Sequence, residues 1–343
     1  MKLQKLHIKN YKSLVDLEIV EPNPFTVFAG PNGAGKSNIF EALEFANIIY
    51  QMRGEGAVRL FGGYQSINNR SLPLSSEQKG NIVTYNYCNT QFSFNSKEGY
   101  SSTPDVAPIN GFEPELLLAG IEPEKGAGAT NSQYRSYRQF VESFSRIFIK
   151  NSALVRIKEI SDEILSLDCS NLEKVLRRLL EDEFKREDIT EYLELFIPGF
   201  ERIEIRSEDL KLFIYEKGVD EPFDKDLISD GTYNILCLLS AVFQSDEPQF
   251  LCIEEPENGL NPYVVKGMVD LFRNACEESG GGHYIWLNTH SQTLVEMLRP
   301  EELILVDKVN GQTKITQPKN IDLHGLPTDE AWLSGVFGGG VPW

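Results

Sequence analysis

The chain reads as an α/β protein: a mixed, mostly parallel sheet, an antiparallel β lobe at the N-terminus, and a helical arm inserted between two halves. Three observations point there. The stretch Gly30–Ser37, GPNGAGKS, fits GxxxxGK[ST] between an apolar strand-like run, Phe25–Ala29, and an amphipathic helix. Near the N-terminus Val15, Leu17 and Ile19 alternate with Asp16 and Glu18, the period of a half-buried strand. After residue 226 helix and strand signals alternate, which implies parallel strands joined by right-handed crossovers.

In chain order, strands are expected at Leu3–Lys9 and Leu14–Val20, then Pro22 and Pro24 break the run before Phe25. After the glycine-rich loop Ile39, Leu43, Ala46 and Ile49 recur at helical spacing and should pack on the sheet. Met52–Asn69 contains glycines and reads as irregular; Ile82–Phe94 returns to strand-like alternation. Lys97–Asn131, with four prolines among glycines and serines, reads as a long mobile insert. The arm follows: a helix at Tyr134–Lys150, a second capped by Ser170 and Glu173 with the stripe Leu172, Val175, Leu176, Leu179, and a third at Ile189–Phe196. Strands Ile203–Arg206 and Leu210–Glu216 lead back to the sheet. Ser229 caps a helix through Phe243, Phe250–Ile253 is a buried strand, Pro262 opens a helix that Gly280–Gly282 stop, and Tyr284–Asn288 is the next strand. The expected divisions are 1–96, 97–200, 201–325 and a tail, 326–343.

With 343 residues the chain can bury a large core. A formal charge of −18 argues against coating nucleic acid through the whole surface and leaves room for a local basic patch. The longest strongly apolar run, Ile235–Phe243, is too short to span a bilayer, and the opening MKLQKLHIKN lacks a signal-peptide core, so a cytoplasmic protein is expected. Five scattered cysteines without a CxxC pair suggest neither a disulfide frame nor a zinc site.

The strand–loop–helix context gives Gly30–Ser37 a mechanical meaning. Backbone N–H groups from Asn32, Gly33, Ala34, Gly35 and Lys36 would face a polyphosphate at the positive end of the helix. Lys36 would reach the β- and γ-phosphates and Ser37 would give a hydroxyl to Mg²⁺. ATP and Mg²⁺ are the expected ligands. Further on, the apolar run Phe250–Ile253 ends in Glu254, Glu255, Pro256 and Glu257, which places carboxylates at the C-terminal edge of a buried strand, where open α/β sheets bind ligands. Such carboxylates can hold Mg²⁺ through water and polarise an attacking water.

The order of GPNGAGKS, LISDGTYNIL at Leu227–Leu236, LCIEEPENGLNP at Leu251–Pro262 and NTHS at Asn288–Ser291 resembles the ABC-type ATPases of the SMC, RecF and OLD-like group. Within that group the likeness is greatest to small bacterial AAA-type ATPases often found in phage-defence operons, and the opening LHIKNYKSLVDLEI resembles theirs too. The resemblance implies a P-loop ABC-type head in which Glu255 is the catalytic base and Glu254 fills the Walker B position, usually Asp, as a Mg²⁺ ligand. His290 would be the switch histidine at the γ-phosphate, and Asn261 the polar residue of the D-loop. Gln65 would stand for the Q-loop. Ser229 and Gly231 would belong to a signature motif that caps the nucleotide of a second copy, so a homodimer with ATP sandwiched between heads is implied.

The stretch after Ser291 is too short for the Toprim nuclease domain that OLD proteins append, so a separately encoded effector is expected. The leading reading is an ATP-hydrolysing switch that controls such an effector in anti-phage defence; the alternative is a RecF-like, DNA-binding repair ATPase. Between Tyr134 and Lys158 six cations, Arg135, Arg138, Arg146, Lys150, Arg156 and Lys158, face one acid, Glu142. This enclave reads either as a strip for DNA or RNA phosphates or as solvated surface. The tail, with Trp332, Phe337 and Trp343 among glycines, either folds back on its own head or docks on a partner.

Overall fold

The computed structural model describes residues 3–51, 54–69, 82–87, 90–95, 99–104, 143–156, 162–277, 282–319 and 321–338. Strands β1 (Leu3–Tyr11), β2 (Leu14–Val20) and β3 (Phe25–Ala29) open the chain. Helices α1 (Lys36–Gln51), α2 (Gly54–Leu60) and α3 (Tyr64–Ile67) follow, then β4 (Ile82–Tyr87), β5 (Thr90–Asn95), β6 (Gly99–Pro104) and β7 (Phe144–Ile147). Next come α4 (Leu172–Glu181), α5 (Glu183–Phe196), β8 (Phe200–Ile205), β9 (Leu212–Glu216), β10 (Phe223–Asp224) and α6 (Asp230–Phe243). The chain closes with β11 (Phe250–Glu254), α7 (Pro262–Glu277), β12 (Tyr284–Thr289), α8 (Gln292–Glu296), β13 (Leu303–Val309), β14 (Gln312–Thr316) and α9 (Thr328–Leu333).

Two compact units emerge, Met1–Phe144 with Leu298–Trp343, and Ser145–Met297. In the first, β2-β1-β4-β5-β6 form an antiparallel sheet, and β3 pairs parallel with β13, which pairs antiparallel with β14. Every residue of β3 is buried, and on α1 Ile39, Leu43, Ala46 and Ile49 are buried as their spacing predicts. Phe28 meets Phe40 edge to face at 5.5 Å, so the strand before the glycine-rich loop and the helix after it clasp each other through aromatic packing. Trp332 and Phe337 are buried, and Thr328 Oγ1 donates to Leu298 O at 2.6 Å. For those two aromatics the tail therefore folds into its own unit; Trp343 lies outside the described residues.

In the second unit β11 and β12 pair parallel, setting Glu254 opposite Asn288, with β7 beside β11. The hairpin β8–β9 and short β10 form a separate antiparallel sheet. Helix α6 is buried from Tyr233 to Val242, which accounts for its almost wholly apolar sequence.

Several expectations are corrected. The helix expected at Tyr134–Lys150 gives way, in its described part, to strand β7, which pairs beside β11 and satisfies its backbone in the sheet while Ser145, Arg146 and Ile147 are buried. The second arm helix keeps its predicted stripe, all four residues buried, but its N-cap is Asn171 rather than Ser170. The Ser170 hydroxyl lies 3.3 Å from that of Ser166, and Asn171 Oδ1 accepts from Ser166 N at 2.8 Å, so both side chains hold the preceding turn. The third helix begins at Glu183, capped by Asp182, which accepts from Lys185 N at 3.1 Å. Between 54 and 67, expected to be irregular, two short helices form around the Gly62–Gly63 turn, where both φ angles are 84°. Strand β6 extends into the stretch expected as a mobile insert, whose residues from 105 to 131 lie outside the described residues.

Candidate functional site

In the first unit the phosphate loop lies between β3 and α1. Gly33 and Gly35 sit at φ 77° and 106°, left-handed backbone that a side chain disfavours. A Cβ at Gly35 would also come within 2.1 Å of Thr313 Oγ1 and 2.7 Å of Ser13 Oγ. Those two hydroxyls support the loop. Thr313 Oγ1 donates to Ala34 O at 2.7 Å and pairs with Ser13 Oγ at 2.6 Å, which in turn accepts from Asn38 Nδ2 at 2.8 Å. Lys36 is buried, and its Nζ donates to Gly30 O at 2.7 Å and Pro31 O at 3.1 Å, closing the loop on itself. Asn32, Gly33 and Ser37 are exposed. Gln65 is exposed on α3, a helix tied to the β1–β2 turn by Lys12 N donating to Ile67 O at 2.7 Å.

In the second unit the acidic strand end is organised around Glu255. This residue leaves β11 with φ 48°, a left-handed conformation costly for a side-chain-bearing residue. Its N–H donates to both the backbone and the side-chain oxygen of Asn288, each at 3.1 Å. One carboxylate oxygen accepts from Asn258 Nδ2 at 2.9 Å, and the other lies 3.5 Å from His290 Nδ1. Glu255 and His290, predicted from separate motifs, are thus brought together. Glu257 is the residue that sequence reasoning passed over: burial raises its carboxyl above the usual range, while Thr289 donates to its Oε1. The signal was available in the third acid of EEPE.

Glu254 does not sit as a free ligand. Arg146 donates to its Oε1 through Nε at 2.7 Å and through Nη2, and Asn288 Nδ2 donates to Oε2 at 3.2 Å. Both partners of the ion pair are almost wholly buried, at 3% and 1% side-chain exposure. Arg146 therefore cannot belong to an exposed cationic strip, which corrects that expectation. Lys150 pairs with exposed Asp230 at 2.5 Å and lies over the Tyr233 ring, while Arg135, Arg138 and Lys158 lie outside the described residues.

The signature stretch opens α6. Ser229 caps it, accepting from Thr232 N at 3.0 Å. Asn261 performs the same task for α7, accepting from Val264 N at 3.0 Å. Ser229, Gly231 and Asn261 line one cavity of about 160 Å³, together with Thr232, Gly259 and Leu260. Gly231 is required by contact: a Cβ there would meet Gly259 O at 2.6 Å. Among the described residues no group of three or more His, Cys, Asp or Glu is arranged to hold a metal alone, and no helix is long and apolar enough to cross a membrane.

Residues 119–296 match the family described as "AAA domain, putative AbiEii toxin, Type IV TA system", and residues 1–49 match an "AAA ATPase domain". An ATP/GTP phosphatase of Helicobacter pylori is 23% identical over 95% of this chain and 94% of its own length. RecF, the DNA replication and repair protein of Anaeromyxobacter dehalogenans, is 38% identical over 60 residues, 18% of this chain and 15% of that protein. Among solved structures, an SmcHead bound to the C-winged helix domain of ScpA superposes with a TM-score of 0.54 at 15% identity, covering 94% of this chain and 98% of that one. The mixed, mostly parallel strands, the antiparallel N-terminal lobe and the inserted helical region are those of an SMC head. The chain belongs to this AAA-domain family, and its fold is that of an ABC/SMC-like P-loop ATPase head related to the SMC and RecF ATPases.

Proposed function

We propose that the protein binds and hydrolyses ATP with Mg²⁺ between two copies of its head and uses the cycle to control a separate effector protein. The observation that carries this reading is Glu255, an acid held in strained backbone by Asn288 with its carboxylate aimed by Asn258 and adjoined by His290. Strain of this kind persists where geometry serves chemistry. Glu255 orients and deprotonates the attacking water, and His290 contacts the γ-phosphate. The loop from Asn32 to Ser37 supplies N–H groups and the Lys36 ammonium to the phosphates.

The exposed Ser37 hydroxyl, in the first turn of α1, fits a Mg²⁺ ligand. Bound there, the ion would neutralise charge that builds on the phosphate oxygens. The Glu254 carboxylate, facing an arginine and an amide donor, does not fit that role. Ser229 and Gly231 are assigned to the nucleotide of the second copy, a role supported by their shared cavity with Asn261.

Action with a partner is supported by the SmcHead structure, in which a ScpA domain is bound, and by the toxin–antitoxin wording of the family, which implies a second component; we read that component as an effector in anti-phage defence. A RecF-like clamp on DNA is the second reading, favoured by the 38% identity to RecF over 60 residues, although burial of Arg146 against Glu254 takes one cation from the strip it would use. The test is light scattering with Mg²⁺-ATP on the Glu255→Gln protein. Trapped dimers that dissociate when nucleotide is removed are the expected result, and a monomer at every nucleotide concentration would overturn the two-head cycle.

A further inference from the structure

The pair Arg146–Glu254 stands where the resemblance calls for a metal ligand, and its surroundings assign it a different task. Arg146 lies on β7 and Glu254 at the end of β11, on neighbouring strands, and both are withdrawn from water. An arginine fork already supplies the positive charge that a buried carboxylate needs. A divalent cation approaching the same carboxylate would face that guanidinium as a like charge. The remaining oxygen, Oε2, accepts from Asn288 Nδ2.

That last contact decides which way the Asn288 amide points. An ionised carboxylate only accepts hydrogen bonds, so Glu254 requires the NH₂ end of Asn288 to face it. The carbonyl end then faces Glu255, whose N–H it accepts at 3.1 Å alongside the Asn288 backbone oxygen. Two acceptors on one N–H hold Glu255 at φ 48°, and that backbone sets the direction of its carboxylate. The order of dependence is Arg146, Glu254, Asn288, Glu255.

We propose that Arg146 is a positioning residue for the hydrolytic base: it fixes Glu254 as an ion-pair partner rather than a Mg²⁺ ligand, and Glu254 through the Asn288 amide fixes Glu255. The proposal rests on the ATPase reading above. It separates two consequences that a metal-ligating Glu254 would join, since Mg²⁺ affinity and turnover should respond independently.

The experiment uses the full chain with the double substitution Arg146→Met and Glu254→Met, which removes both buried charges together with the acceptor that orients the Asn288 amide. Binding of a fluorescent, non-hydrolysable ATP analogue is followed as Mg²⁺ is titrated, and kcat and KM for ATP are measured alongside. The Mg²⁺ concentration for half-maximal analogue binding should stay within about twofold of wild type while kcat falls roughly thirtyfold or more and KM barely moves. A half-saturating Mg²⁺ concentration raised about tenfold or more would overturn the proposal, as would an unchanged kcat. If circular dichroism shows the double variant unfolded, Arg146→Lys, which keeps the charge and loses the fork, is read by the same criteria. Failure of wild type to bind the analogue would sink the ATPase reading and this proposal with it, whereas a Mg²⁺ shift alone would sink only this proposal.

Discussion

Thr313 Oγ1 donates to the carbonyl oxygen of Ala34 at 2.7 Å, so a residue 279 positions downstream carries the underside of the phosphate loop. Its hydroxyl also pairs with Ser13, and Thr313 N donates to Ser13 O at 2.8 Å. Thr313→Val keeps the shape and deletes the hydroxyl. At about 1 kcal/mol for each of these two lost hydrogen bonds, ATP-analogue affinity should drop by up to roughly thirtyfold, although Thr313 is not itself assigned to the nucleotide. Gly35→Ala should be worse, because the new methyl meets that hydroxyl and the backbone must hold φ 106°. Titration calorimetry of both variants checks the order.

Lys36→Ala should abolish tight ATP binding. Glu255→Gln should retain binding within a few-fold and lower hydrolysis by about 10²-fold or more, since it removes the base and no phosphate contact. Phosphate release together with analogue binding separates the two effects; wild-type turnover in Glu255→Gln would remove the base assignment.

His283 offers a pH test away from that chemistry. It is half-buried, its Nδ1 accepts from Gln249 N at 3.1 Å, and burial lowers its pKa from 6.5. A depressed folded-state pKa means stability that is present above the unfolded value and lost as pH falls through the folded one. His283→Asn keeps an acceptor and cannot titrate. The melting temperatures of the two proteins should therefore run parallel at pH 7.5–8 and diverge below about pH 6.5, with wild type losing more.

Cutting the chain after Pro327 removes Trp332 and Phe337, which are 1% and 3% exposed. Soluble, folded protein should be lost. The milder Trp332→Ala should cost about 3–5 kcal/mol in chemical denaturation, the range for emptying a buried aromatic position. An unchanged midpoint would mean that this ring adds nothing to the unit.

What could be read from sequence follows local physics. The strand before GPNGAGKS, the Ser229 cap and the proline at the start of α7 are written in adjacent residues, and each lies where its pattern places it. Glu255 and His290 were legible as motifs, though their 3.5 Å approach was not. Strand β7 was missed because four residues carry too little periodicity and the cations around it suit a solvated helix. Burial of Arg146 against Glu254 depends on a neighbouring strand and overrides local preference. The same holds for Ser13 and Thr313, hydroxyls with no motif of their own. Their meaning arises only when the β1–β2 turn and the distant strand β14 meet beneath one loop.

The close approach of Gly231 to Gly259 has a mechanical consequence. With no side chain between them, the first turn of α6 and the loop before α7 pack backbone against backbone, too close for a Cβ at Gly231. Asn234, one turn into the helix, donates to Asn258 O at 2.6 Å, and Asn258 donates to the Glu255 carboxylate. The first turns of α6 are thus joined to the Glu255 carboxylate by two hydrogen bonds that share Asn258.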